Sequence, residues 1–142
     1  MRKLINNIKQ YEGHFTIGIS SIIVSAYVFM HLNYLDDPRV TPKFTKIHDS
    51  FSAIDGITDD GWFATILMVV GLTMIFSILL NRKKVINLSF RIISALYATI
   101  GASFGIRGLL ETHFNITWLF AFLSIALLVL VAKGSGQHFQ KH

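Results

Sequence analysis

The stretch VINLSFRIISALYATIGASFGIRGLL, Val85–Leu110, decides how the chain is read. A helix needs about 20 predominantly apolar residues to cross the hydrocarbon layer of a bilayer, and this stretch supplies them. Asn87, Arg91, Ser94, Ala98, Gly101, Gly105 and Gly108 recur along it at alternating steps of four and three. That spacing puts all seven on one helical face. The opposite side carries Leu, Ile and Phe. In water a stripe of small and polar residues makes a poor core. In lipid, small residues let two helix backbones approach, and Gly101 to Gly105 has the four-residue glycine spacing of such contacts.

Three more apolar runs lie outward from it: Phe15–Leu35, Trp62–Leu80 and Phe114–Val131. The chain has 142 residues, 52% hydrophobic and 15% charged. Soluble domains carry roughly a quarter charged residues, so this composition belongs to a membrane. The expected fold is all-α: a single integral membrane domain over 1–142 with four transmembrane helices. The spans are expected at about 14–35, 62–81, 85–110 and 114–133. The apolar run after Arg2, Lys3 and Lys9 is longer than a signal-peptide core and is followed by no small-x-small cleavage site, so it is taken as an uncleaved first span.

The ends of these runs carry ordered signals. Leu4, Ile8, Tyr11 and Phe15 share a helical face in front of the first span, which fits a short helix on the inner leaflet or a terminal turn continuing the span. Within the first span, Gly18, Ser21 and Ser25 make a second small face. Residues 36–61 form the long polar segment. There Thr41-Pro42 is a helix start, Phe44, Ile47, Phe51 and Ile54 repeat at helical spacing, and Gly56 ends the run. This predicts a short amphipathic helix in the first outer loop, on the membrane surface or against the bundle, where a protein partner can meet it. Thr58 or Asp60 caps the second span, and Trp62 suits an interface. Asn81-Arg82-Lys83-Lys84 closes that span as a tight basic turn and forces an antiparallel hairpin. Lys133-Gly134 closes the fourth span, ahead of a polar tail.

The net charge of +5 follows the spans instead of forming a patch interleaved with aromatics, which argues against nucleic acid. Arg2, Lys3, Lys9, Arg82, Lys83, Lys84, Lys133 and Lys141 fall on one side of the expected topology. Arg39, Lys43, Lys46 and Arg107 fall on the other. The positive-inside rule then puts both termini in the cytoplasm of a multi-pass protein of the cell membrane, with its cationic ends near anionic lipid.

Arginine within a span is a functional candidate. Arg91 lies six residues past Val85, roughly 9 Å in at ~1.5 Å per residue, and is expected to snorkel toward the cytoplasmic side, with a place in the bundle interior as the alternative. Arg107 leans back into the membrane from the outer end, and Glu111, one turn on, is its expected ion-pair partner, with the Asp residues of the outer loop as the other candidates. No Asp or Glu stands mid-span, which argues against proton-coupled transport and intramembrane acid catalysis. There is no cysteine, no nucleophile elbow, no phosphate-binding loop and no dinucleotide fingerprint. A non-enzymatic protein without a cofactor is expected. His31, His48 and His113 with Asp36, Asp37 and Asp49 are outer-face candidates for a metal, and His31 with His113 for haem. They lack a short ligand spacing such as His-x-x-x-His.

The stripe on Val85–Leu110 admits intramolecular packing at the centre of a four-helix bundle, a homo-oligomer interface, or a water-lined face of an oligomeric pore with Asn87 and Arg91 at its mouth. The first makes this span the helix that organises the bundle. In layout, the basic start (Arg2, Lys3), the Arg82-Lys83-Lys84 hairpin turn, interfacial Trp62 and Trp118 and a short Lys-containing tail resemble the small multi-span membrane proteins of Gram-positive bacteria and their phages. Some of that group are holin-like and permeabilise the inner membrane. Others are accessory, immunity or exclusion proteins. The resemblance implies a non-enzymatic protein that self-associates or docks a partner. The alternative from the residues alone is a small membrane redox or metal-binding protein using the outer histidines.

Overall fold

The structure, a computed structural model, describes the backbone of residues 2–30, 32, 60–110 and 116–139, and the side chains of 2–30, 32, 60–102 and 122–133. Every regular element among the described residues is a helix. These are α1 (Arg2–Gln10), α2 (Glu12–Met30), α3 (Gly61–Leu79), α4 (Lys83–Leu110) and α5 (Ile116–Phe139). The expected amphipathic helix of the 36–61 loop, with its Thr41-Pro42 start, lies outside the described residues.

Among the described residues, three helices are long and apolar enough to cross a membrane: Glu12–Met30, Gly61–Leu79 and the Lys83–Ala102 part of α4. The first two have 19 residues each. At ~1.5 Å per residue they reach about 28 Å, against a hydrocarbon layer of ~30 Å. Their outward faces carry large apolar side chains such as Ile23, Val69, Phe76 and Leu88, all exposed. In α5 the stretch Phe122–Lys133 is apolar.

Contacts at successive levels fix the topology. Leu32 faces Gly61, Ser25 bonds to the carbonyl of Ala64, Gly18 lies against Gly71, and Asn7 reaches the carbonyl of Leu79. Numbers fall along one helix as they rise along the other, so α2 and α3 are antiparallel. Residues 80–82 return the chain into α4, which packs back on α3. At the far side of the bundle Gly13 of α2 meets Val131 of α5. The helices therefore run up, down, up, down, with α1 folded against the lower end.

The packing seam between α2 and α3 follows a heptad. His14, Gly18, Ser21, Ser25 and Val28 are buried on α2, and Ala64, Leu67, Gly71, Met74 and Ile78 on α3. Both sets step by three and four, the left-handed packing geometry of helix pairs. Small residues on one side meet larger ones on the other, and two glycines meet at the closest point. A Cβ placed on Gly71 would stand 3.0 Å from the Gly18 carbonyl oxygen and 3.2 Å from both Ile22 Cγ1 and Ser21 Cβ. Lipid tails are as apolar as Leu, so close backbone approach and interhelical hydrogen bonds, not water exclusion, hold such helices together. Ser25 contributes one: its hydroxyl donates to the Ala64 carbonyl at 2.6 Å.

The helix that organises the described bundle is α3, not α4. Ala64, Leu67, Met74 and Ile78 are completely buried and Phe63 nearly so, on a band wide enough to meet both α2 and α4. The small α2 face made this possible. Gly18, Ser21 and Ser25 take up so little room that α3 is enclosed on that side.

Other boundaries differ from the sequence expectation. Helix α5 continues past Lys133 through Gly134, Ser135 and Gly136 to Phe139, where a polar tail was expected. Two glycines are tolerated because a helix already in progress loses only about 1 kcal/mol at each. Asp60 occupies the N-cap position of α3, with φ −74° and ψ 142°, but makes no side-chain cap. Its carboxylate instead accepts from the Trp62 indole at 2.9 Å. Thr58, the other expected cap, lies outside the described residues. The N-terminal segment combines both expectations: α1 is a separate helix, yet Phe15 N donates to the Tyr11 carbonyl at 2.8 Å and carries the ladder through the junction.

Candidate functional site

Two regions bring functional side chains together: the lower end of the bundle and the outer face of α4.

The lower end is built from the start of α1, the α3–α4 turn and the end of α5. The turn is a complete Schellman motif. Asn81 stands in the left-handed region at φ 55°. Its N–H donates to the Ile78 carbonyl at 3.0 Å, and Arg82 N–H donates to the Ser77 carbonyl at 2.8 Å. These are the two bonds that close a helix through a left-handed residue, and Asn is the non-glycine residue suited to it. These bonds leave the Leu79 carbonyl without a backbone donor. The buried Asn7 amide donates to it at 3.1 Å. An α1 residue thus completes the cap of α3, and it fixes α1 against the turn. The sequence signal for Asn7 is weak: a polar residue beside the apolar face of Leu4, Ile8 and Tyr11.

This arrangement gathers Arg2, Lys3, Lys9, Arg82, Lys83, Lys84 and Lys133 at one end of the molecule. Arg82, Lys83, Lys84 and Lys133 are exposed. Asp60 and Trp62 mark the opposite end. Lys141 lies outside the described residues.

Above the cationic end, polar groups are buried between the helices. His14 packs edge-on to Tyr11 at a ring separation of 6.0 Å and tilted on Phe90 at 5.0 Å. Ser21 donates to the Ile17 carbonyl at 2.9 Å. The Tyr97 hydroxyl comes toward Ser21 but makes no hydrogen bond within bonding distance. Tyr11, at the α1–α2 junction, has its phenol pKa pushed above the ordinary value by burial.

On α4 the buried face is Ile86, Ser89, Ile93 and Tyr97. At 100° per residue this face lies roughly a third of a turn from the stripe of small and polar residues. Asn87, Arg91 and Ala98 are exposed, and Ser94 is half-buried with its hydroxyl on the Phe90 carbonyl at 2.8 Å. Gly101 falls between the two faces and is buried against Ile125 Cδ1 of α5. Within the described chain, then, Gly101 serves intramolecular packing, and Asn87, Arg91 and Ala98 contact no core. The side chains of Gly105, Arg107, Gly108 and Glu111, and with them the Arg107–Glu111 pair, lie outside the described residues. So do His31, His48 and His113. Among the described residues no three His, Asp or Glu side chains come together in a way that would hold a metal ion.

A shallow groove of about 380 Å³ runs down α3 beside the start of α4, lined by Val69, Leu72, Thr73, Phe76, Ser77, Leu80, Arg82 and Val85. Thr73 turns its hydroxyl onto the Val69 carbonyl at 2.7 Å, so apart from Ser77 the groove wall is apolar down to Arg82.

Comparison with family models, with curated proteins and with solved structures finds no match for this chain. The described residues define an all-helical fold with three helices long and apolar enough to cross a membrane.

Proposed function

We propose that this is a non-enzymatic, multi-pass protein of the cell membrane that acts by self-association, in the manner of a holin-like or pore-forming accessory protein. In this reading α5 is the fourth span, both termini are cytoplasmic and the 36–61 loop faces outward, where a partner docks. No cofactor is involved.

The observation that carries the proposal is the exposed Asn87, Arg91 and Ala98 face of α4. Small and polar residues at helical spacing, left uncovered in a helix apolar enough to span, are what helix–helix contacts in lipid use. A single bundle of this size encloses no channel, so permeation requires several copies arranged around an axis. A ring with α4 facing that axis would place Arg91 and Asn87 at its cytoplasmic mouth.

Particle mass and symmetry of the purified protein test this. The variant Asn87→Leu with Ala98→Leu adds bulk and removes polarity on the exposed face without touching the α4–α5 contact at Gly101. It is expected to lower the oligomeric mass while membrane insertion is unchanged. A wild-type monomer, or an oligomer of unchanged mass in the variant, would refute self-association through α4.

A further inference from the structure

The groove on α3 ends on a cation, and the two features together define a ligand. Val69, Leu72, Thr73, Phe76 and Leu80 follow one another at steps of three, one, three and four along one side of α3, with Val85 as the facing wall. From Val69 to Leu80 the groove extends about 16 Å at ~1.5 Å per residue, close to the ~15 Å depth of one leaflet. Phe76 and Leu80 are 61% and 66% exposed, so the lining is open to whatever surrounds the bundle. At its lower end stands Arg82, the charged residue among those lining it. Lys83 and Lys84 follow directly and are exposed, so the local charge at the mouth is strongly positive. Arg82 is held in place from its backbone, by the N–H bond to the Ser77 carbonyl, which leaves its guanidinium uncommitted to the turn.

We propose that this groove is a binding site for an anionic phospholipid. One acyl chain lies along Val69, Leu72, Phe76 and Leu80, and the phosphodiester is held by the Arg82 guanidinium, whose planar donor fork matches phosphate oxygens. The charge complementarity selects an anionic headgroup over a zwitterionic one. The length match selects a lipid of the leaflet at the cationic end. The inference rests on the reading that the protein spans a membrane, and it goes beyond that reading by assigning one lipid class to one groove.

The test uses the full-length protein reconstituted in nanodiscs of equimolar phosphatidylglycerol and phosphatidylcholine, with lipids retained by the released protein identified by native mass spectrometry. Wild type is expected to retain phosphatidylglycerol preferentially. A basic residue near an anionic surface is worth enough that Arg82→Gln should reduce this preference about fivefold. Arg82→Lys should keep most of it. Lys133→Gln, at the same end but outside the groove, should keep all of it. Thr73→Phe, which fills the groove and leaves the charge alone, should also lower retention. Equal selectivity in wild type and Arg82→Gln would overturn the assignment, as would loss in Lys133→Gln as large as in Arg82→Gln. A photocrosslinker at Phe76 that captures a second copy of the chain instead of lipid would put protein in the groove and overturn it too. Failure of the protein to enter the bilayer at all would show itself earlier, at reconstitution, and would refute the membrane reading along with the site.

Discussion

Substituting Gly71 and Gly101 separately distinguishes a contact made by backbone from one made by a flexible side chain. A Cβ on Gly71 meets the Gly18 carbonyl oxygen at 3.0 Å, with Ile22 Cγ1 and Ser21 Cβ at 3.2 Å. The reciprocal Cβ on Gly18 meets Ile75 Cγ1 at 3.1 Å and the Gly71 carbonyl oxygen at 3.4 Å. Backbone on both sides cannot rotate away, so α2 and α3 must separate by several tenths of an ångström along the whole seam. Overpacking of this kind costs about 1–3 kcal/mol, against which alanine gains roughly 1 kcal/mol in helix propensity. The net for Gly71→Ala is a destabilisation of up to about 2 kcal/mol. At Gly101 the new methyl meets the far end of Ile125, Cδ1, with Cγ1 at 3.5 Å. That terminal methyl can change rotamer, and the propensity gain then dominates. Gly101→Ala is expected to be neutral or to stabilise by up to about 1 kcal/mol, although its unrelaxed contact is the closer of the two. Reversible unfolding in mixed detergent micelles, followed by circular dichroism, measures both. Gly71→Ala as stable as Gly101→Ala would refute the claim that backbone approach at Gly18–Gly71 holds the bundle.

The lower end and the α2–α3 seam give three more predictions. Asn7→Ala leaves the Leu79 carbonyl without its amide donor, and the same unfolding assay should show a loss of about 1–3 kcal/mol, while the neighbouring Asn6→Ala should change little. At Asn81 the positive φ makes Asn81→Gly nearly neutral and Asn81→Val destabilising by about 1–2 kcal/mol; equal melting of the two would contradict the Schellman closure. Ser25→Ala removes one interhelical hydrogen bond and should cost about 0.6 kcal/mol, with ~1.7 as the ceiling for such bonds in membranes. A larger loss would mean the 2.6 Å bond does more than join two helices.

How much of this was legible in the sequence depends on what each signal physically encodes. Apolar length marked helices of spanning size, because the hydrocarbon thickness sets a length that few other structures need. The Gly18, Ser21 and Ser25 face was visible too, and it is a buried contact. The stripe on Val85–Leu110 stood out more strongly, yet the described chain buries the neighbouring face through Ile86, Ile93 and Tyr97. A row of small residues says that a close approach is permitted there, not which partner takes it. That choice lies in the opposing helix: Gly71 belongs to no run of small residues at helical spacing comparable to the stripe and draws no notice until Gly18 is set across from it. Asn7 was hidden for the same reason. Its partner is a carbonyl 72 positions away, and a carbonyl carries no mark in the sequence. The basic turn, in contrast, could be read directly as the end of the span, because cations suit the negative end of a helix dipole; that Asn81 closes it in the left-handed region shows only in the structure.

The arrangement of charge and helix ends is tested most directly by labelling. The chain contains no cysteine, so single substitutions report without background. Lys83→Cys and Lys133→Cys at the cationic end and Asp60→Cys at the opposite end, expressed in intact cells, are treated with a membrane-impermeant maleimide before and after permeabilisation. A bundle that crosses the membrane with its cationic end in the cytoplasm predicts that Asp60→Cys labels in intact cells and that the other two label only after permeabilisation. Labelling of Lys83→Cys or Lys133→Cys from outside, or equal labelling of all three, would contradict it.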